Sequence, residues 1–262
     1  MRRLHTFCRY GIFFVGAALL SACSGTPTYN PTVFPASIDQ ARLDAHPMKT
    51  VVIAHVNLGS QSRNYLEKEA PRIDAQVTEY LRDNGFTVLP QREFEQHWNT
   101  AVRAFGNPVD PTSGKINTKT FAQIMHRVRD ELAESSSIDG FIFTDLVEVQ
   151  ESFSGGMKHL ARWDGVTRAP TMQGPGDGVS ASFDWSMMAA MVSLKVTIYD
   201  AELKPVFHGR GGIDATDAID SRSTKGRYIR RRNILENESN IMEGIQLAFY
   251  PLIDMEAWPG NP

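Results

Sequence analysis

The pattern of apolar and polar positions changes period several times along the 262-residue chain. The clearest alternation comes late. Val192, Leu194, Val196 and Ile198 face one way, and Ser193, Lys195, Thr197 and Tyr199 the other. This period of two marks a strand with one face buried. Asp200-Ala201-Glu202-Leu203-Lys204 turns the chain, and Pro205 to Gly212 returns as the hairpin partner. Two earlier runs, Val51 to Val56 and Ile138 to Val147, are almost continuously apolar and predict more deeply buried strands, the second near the sheet centre. Phe86-Thr87-Val88-Leu89, ended by Pro90, predicts a short strand.

Helical spacing separates these runs. Ile73, Val77, Tyr80 and Leu81 predict a helix from about Glu67 to Asn84, with Pro71 in its first turn and Gly85 at its cap. Phe94, Trp98 and Val102 mark a second helix over residues 92–105. Phe121, Ile124, Met125, Val128 and Leu132 mark a third, stopped by Ser135-Ser136-Ser137. Ile241, Ile245, Ala248 and Phe249 line the inside of a last helix, from Ser239 as N-cap to Tyr250. The order predicts an α/β domain over residues 48–262: a mixed β-sheet with helices packed on it and a late antiparallel hairpin.

Residues 151–187 fit this scheme poorly. Glycines punctuate them, and Ala161 to Thr167 predicts one strand. Phe153, Met157, Leu160, Trp163, Met172, Phe183, Trp185, Met187 and Met188 make the insertion rich in large apolar side chains. Such residues are enriched at binding surfaces, but they also add core, and both readings stay open.

The N-terminus carries a different signal. Arg2, Arg3 and Arg9 precede the apolar run Gly11 to Leu20, and small residues lead to Cys23. A basic start, an apolar middle and a small-residue cut site predict a secretory signal over residues 1–22. The run is shorter than the roughly 20 residues a membrane-spanning helix needs. Leu20-Ser21-Ala22-Cys23 resembles the bacterial lipobox. That resemblance implies cleavage before Cys23 and acylation of its thiol and new amino group, giving a membrane anchor. Ser24, where an Asp would retain such a protein at the inner membrane, implies the outer membrane, with the folded part facing the periplasm. Residues 23–47, mixing prolines with small polar residues, predict a lipidated flexible tether.

Charge and composition narrow the function classes. Losing residues 1–22 removes three arginines and no carboxylate, moving the formal charge from −3 to −6. That balance argues against nucleic acid as partner. Cys8 leaves with the signal and Cys23 is the acylation site, so the mature fold has neither disulfide nor thiolate chemistry.

Three stretches carry a family likeness. They are Lys49 to Val56 with the following helix and Gly85 to Leu89; Asp139-Gly140-Phe141-Ile142-Phe143; and Val192 to Asp200 with its return, Pro205 to Gly212. Together they resemble a family of bacterial envelope proteins that includes the curli secretion lipoprotein CsgG, the amino-terminal domain of TolB, and LpoB, a lipoprotein activator of a penicillin-binding protein. The resemblance covers most of residues 48–255. It implies a TolB-N/CsgG-like fold and a domain that binds proteins or assembles with itself. The 151–187 insertion and the 107–115 loop depart from the family's pattern.

Motifs for chemistry are scarce. No G-x-S-x-G or H-E-x-x-H occurs. His46, His55, His97, His126, His159 and His208 share no ligand-like spacing. Asp214, Asp217 and Asp220 recur every third residue, which fits a solvated turn better than a calcium loop. The strongest local charge is basic: Arg222, Lys225, Arg227, Arg230, Arg231 and Arg232. Such a patch attracts phosphate groups or an acidic partner, against the plainer reading of a solvated loop and helix start. With Trp163 and Trp185 of the insertion, these six are the candidate partner-binding residues.

The sequence thus predicts a non-enzymatic outer-membrane lipoprotein, with no cofactor or metal, that binds and supports an envelope protein such as a cell-wall synthase or assembly machinery. An oligomeric secretion component of the CsgG type is the first alternative, so a homo-oligomer stays open. An envelope hydrolase is the second.

Overall fold

The computed structural model describes residues 29–30, 36–54, 64–110, 112–113, 115–176 and 178–255. The signal segment, Cys23 and His55 lie outside them. The elements in chain order are β1 (Tyr29–Asn30), β2 (Ala36–Ile38), α1 (Gln40–Ala45), β3 (Thr50–Ala54), α2 (Asn64–Glu67), α3 (Ala70–Asp83), β4 (Thr87–Leu89), α4 (Gln91–Phe105), α5 (Thr118–Ser135) and β5 (Gly140–Ser152). There follow a 3-10 turn (Gly156–Lys158), β6 (Ala161–Trp163), β7 (Gly165–Arg168), β8 (Met172–Gln173), β9 (Met188–Asp200), β10 (Pro205–Ala215), β11 (Asp217–Asp220), β12 (Tyr228–Arg230) and α6 (Glu238–Phe249).

The expected mixed α/β architecture is present. Six strands form the main sheet in the order β2-β10-β9-β5-β3-β4. β3 runs parallel to β4 and β5, and the β5-β9-β10-β2 half is antiparallel. The chain leaves β3 for β4 in one direction and returns past β3 to β5 in the other. Right-handed parallel crossovers then place the intervening helices on opposite faces. One face carries α3 and α6, where Ile73, Val77, Leu81, Ile241 and Phe249 pack on Val51, Ile53, Ile142, Val196 and Ile198. The other carries α4 and α5, where Phe94, Ile124, Val128 and Leu132 pack on Val52, Phe141 and Phe143.

β5 and β9 are much longer than β3. They pair without a shift from Gly140–Asp200 to Ser152–Met188, about 40 Å of ladder at roughly 3.3 Å per residue. Their far half extends past the helices and is covered by a third apolar cluster that includes Phe153, Trp163, Val166, Met191 and Leu247. Two three-stranded sheets build that cover, β1-β7-β6 and β12-β11-β8.

Four expectations need correction. Ala161 to Thr167 is a hairpin, not one strand. Asp164 and Gly165 take φ 39° and 87° and turn β6 into β7, the two-residue turn that Asp-Gly favours. The tether ends early, because Ala36–Ile38 pair with Phe207–Gly209 of β10 and Arg42 of α1 bonds Glu202 at 2.6 Å. β1 pairs with β7 earlier still. Asp214, Asp217 and Asp220 lie in strands, not in a solvated turn. The last helix is capped by Asn237, whose side chain accepts from Asn240 N at 3.1 Å, and not by Ser239.

The glycines of β10 let α6 approach. A Cβ on Gly211 would meet the Gly244 carbonyl oxygen and the Ala248 nitrogen of α6, both backbone atoms that cannot rotate away. Gly211→Ala is therefore expected to cost about 1–3 kcal/mol. Gly178→Ala adds a methyl to open space and should stay within about 0.5 kcal/mol. Urea denaturation midpoints of the two variants check this order.

Candidate functional site

Three carboxylates and four arginines meet where β10 passes into β11. Thr216 separates the strands, and β12 returns antiparallel with Asp217 opposite Arg230. The every-third-residue spacing of Asp214, Asp217 and Asp220 places each near a different part of the 222–231 segment. Arg231 donates to Asp214 at 2.8 Å and to the Ala215 carbonyl at 2.7 Å. Asp217 accepts from Ala190 N at 2.8 Å and faces Arg230 at 3.5 Å. Asp220, 1% exposed, accepts from Arg222 Nε at 2.9 Å and from Arg227 Nε at 3.0 Å.

Arg230 ties this clasp to the main sheet. Its guanidinium lies 4.2 Å from the ring centre of Tyr65 on α2. It also donates to the Tyr65 hydroxyl at 2.8 Å and approaches Glu148 of β5 at 3.3 Å. The Tyr65 hydroxyl donates to Glu148 in turn. Burial first, and then this bond to a carboxylate, push the phenol up to about 12. Tyr65 thus stays a neutral donor across the physiological range.

Most of the basic patch is therefore neutralised from within. Of the six basic residues singled out in the sequence, Arg222, Arg227, Arg230 and Arg231 are paired, and the segment includes a strand in place of the expected loop and helix start. Lys225 and Arg232 have no side-chain partner among the described residues. Arg232 stands between two open grooves. One, of about 350 Å³, is lined by Gln173, Gly174, Pro175, Arg222 and Arg232. The other, of about 340 Å³, is lined by Lys68, Glu69, Arg72, Arg232, Asn233 and neighbours to Glu238. Gln173 holds the wall between them by accepting from Arg232 N at 2.9 Å.

The two tryptophans part company. Trp163, expected at a partner surface, is 3% exposed and belongs to the third core cluster. Its indole packs under β9, with Nε1 3.4 Å from the Val192 carbonyl. Trp185 is half-buried and stacks on His159, with ring centres 3.6 Å apart and planes within 6°. Phe183 meets Trp185 and Tyr228 edge-on, joining the insertion to β12. The insertion divides by residue: Phe153, Trp163 and Phe183 are core, while Met157, Met172 and Met188 are exposed.

A further polar knot was not foreseen. Asp164, 7% exposed, accepts from Ser193 at 2.6 Å and pairs with Arg210 at 3.1 Å. The Asp-Gly turn signal could have located it. On the same sheet face His208 accepts or donates at 3.2 Å with Thr197. Burial first, then Lys195 and Arg210, hold its pKa below the usual histidine value. His97 pairs with Glu131 at 2.7 Å. Among the described residues, no three His, Cys, Asp or Glu side chains are placed to hold a metal ion, and no helix is long and apolar enough to cross a membrane. No protein-family model, curated protein or solved structure matches the chain.

The clasp has a pH signature. Hydrogen bonds from Arg222 and then Arg227 lower the Asp220 pKa from 3.8 to about 2. A depressed folded-state pKa contributes stability above the unfolded value and loses it as pH falls through the folded one. Asp220→Asn is expected to lower the urea midpoint at neutral pH and to flatten its decline between about pH 4 and pH 2. Midpoints measured across that range check both effects.

Proposed function

We propose that the chain is an outer-membrane lipoprotein, anchored through Cys23, whose periplasmic domain docks on an envelope protein and supports it without catalysing a reaction. The partner is a cell-wall synthase or a component of assembly machinery. The N-terminal pattern and the resemblance to the CsgG, TolB and LpoB family support this reading. So does the element order: strand, helix, strand, helices and strand, then a long hairpin and a closing helix.

One observation carries it. Two open grooves meet at Arg232: one is lined by both signs of charge, with Lys68, Arg72 and Arg232 beside Glu69, Glu236 and Glu238, and the other by Arg222 and Arg232 with Gln173, Gly174 and Pro175. An enzyme pocket is usually an apolar cleft with a few convergent polar groups. A shallow surface of mixed charge suits the complementary charges of another protein, which steer encounter and fix register. The CsgG-type alternative draws on the 13-residue length of β5 and β9, more than the nine to eleven residues a membrane strand needs. The apolar face of that pair's far half, with Val149, Phe153 and Met191, is already covered by the protein's own core, however, which leaves this alternative second.

The test is a photo-reactive residue at position 175, in the wall of the groove, or at position 225 in intact cells. One dominant protein adduct is expected. Arg232→Glu should abolish it while leaving the melting temperature within a few degrees, because the side chain holds no partner of its own. Absence of any adduct at both positions, with an intact envelope on deletion, would overturn the proposal.

A further inference from the structure

The lipid reading of Cys23 acquires a geometry from β1. Tyr29 pairs with Val166 and Asn30 with Gly165, antiparallel. Only six residue steps separate Cys23 from Tyr29, a reach of at most about 20 Å at roughly 3.3–3.6 Å per residue. A free 25-residue leash would have allowed the domain to stand several times farther from the bilayer. Tyr29, opposite Val166, lies two residues from Arg168, which pairs with Ala161 at the start of β6. Leu160 precedes that strand and bridges to Gly155. Tyr29, within six residue steps of Cys23, is thus placed near the 155–160 loop and the Ser152–Met188 end of the β5-β9 ladder.

That tip has the surface a membrane wants. Among the described residues, five large apolar side chains are exposed, and two lie at this end: Met157 at 99% and Met188 at 54%. Met157 stands on the 3-10 turn of the loop. Trp185, stacked on His159, sits three residues before Met188. Arg162, which is exposed, adds positive charge. Apolar side chains with an aromatic ring and a basic residue beside them match the boundary between headgroups and acyl chains. Anionic lipid adds attraction for each basic residue near the surface.

We propose that the 155–160 loop with Met157, Met188 and Trp185 is the membrane-facing end of the anchored protein, seated on the lipid surface by the short span from Cys23 to β1. The proposal rests on acylation of Cys23 and goes beyond it, since a lipid on a long leash would orient nothing.

The mature chain offers a clean probe. An acylated Cys23 has no free thiol and Cys8 is removed, so one introduced cysteine is the only reactive one. Full-length lipidated Met157→Cys and Lys204→Cys proteins would each carry a polarity-sensitive dye. Residue 204 lies in the turn at the opposite end of the β9-β10 hairpin. Both proteins would be placed in vesicles of phosphatidylethanolamine and phosphatidylglycerol containing nitroxide lipids. The expected result is a blue shift and loss of most emission at 157, with little change at 204. Ten Gly/Ser residues inserted between Ser24 and Tyr29 should restore the emission at 157.

Equal, water-like signals at the two positions, with the N-terminal peptide carrying its acyl mass, would overturn the orientation and leave the lipid anchor standing. Protection of 157 that persists without vesicles and rises with protein concentration would assign the face to a second copy, and would also overturn it. An unmodified Cys23 thiol would remove the anchor and the orientation together.

Discussion

The β5-β9 ladder sets the terms for everything else. Its partners β3 and β4 are five and three residues long, but it runs unbroken for thirteen pairs. A sheet that outgrows its helices loses the cover that α3, α4 and α5 give its near half, and leaves Val149, Phe153, Ala189 and Met191 to be covered by something else. The far half needs cover that the α/β core cannot supply. The rest of the chain supplies it: a β-bulge in β10 between Gly212 and Asp214, the β6-β7 hairpin, the β11-β12 return and the aromatic cluster around Phe183. The bulge fits this role, because an extra residue bends the strand. Ile213 then joins the α6 side while Gly212 lies against Trp163.

Charge, rather than added apolar volume, holds much of that cover in place. Asp164 with Arg210, Asp214 with Arg231, Asp220 with Arg222 and Arg227, and Arg168 with Glu243 all span the junctions between the small sheets, their flanking loops and the main body. For the most shielded of them, Arg168 with Glu243, removing one member leaves the other uncompensated, which costs more than the pair itself contributes. Guanidinium suits the task because it donates in several directions at once. Arg230 shows this by reaching Tyr65, Thr216 and Glu148 together.

The near half was legible in the sequence and the far half was not, for physical reasons. Val51 to Ala54, the α3 stripe and the Val192 to Ile198 alternation are long enough for a period to register. β6 and β7 have three and four residues, too few for a period, although Asp164-Gly165 marked their turn. β2 adds to the sheet edge through backbone hydrogen bonds, which leave no side-chain signature in a segment of small residues and prolines. The aspartates at 214, 217 and 220 mislead because their spacing looks local, whereas their partners arrive from as far as residue 231. The basic patch misleads for the same reason. Six positive charges within eleven residues read as one surface, until pairing leaves Lys225 and Arg232 as the members without a partner among the described residues.

The two proposals constrain each other through β8. Met172 and Gln173 are consecutive residues of that strand, paired with Ile219 and Asp220. Met172 is exposed, and Gln173 lines the groove and fixes Arg232. β11 in turn bonds back to the main sheet, where Asp217 accepts from Ala190 N within the last pairs of the β5-β9 ladder. The wall of the groove and the end proposed to face the membrane therefore belong to one hydrogen-bonded body. Under both proposals an anchor that orients this body would also limit the directions from which a partner can approach Arg232, so the lipid would act on recognition as well as on location.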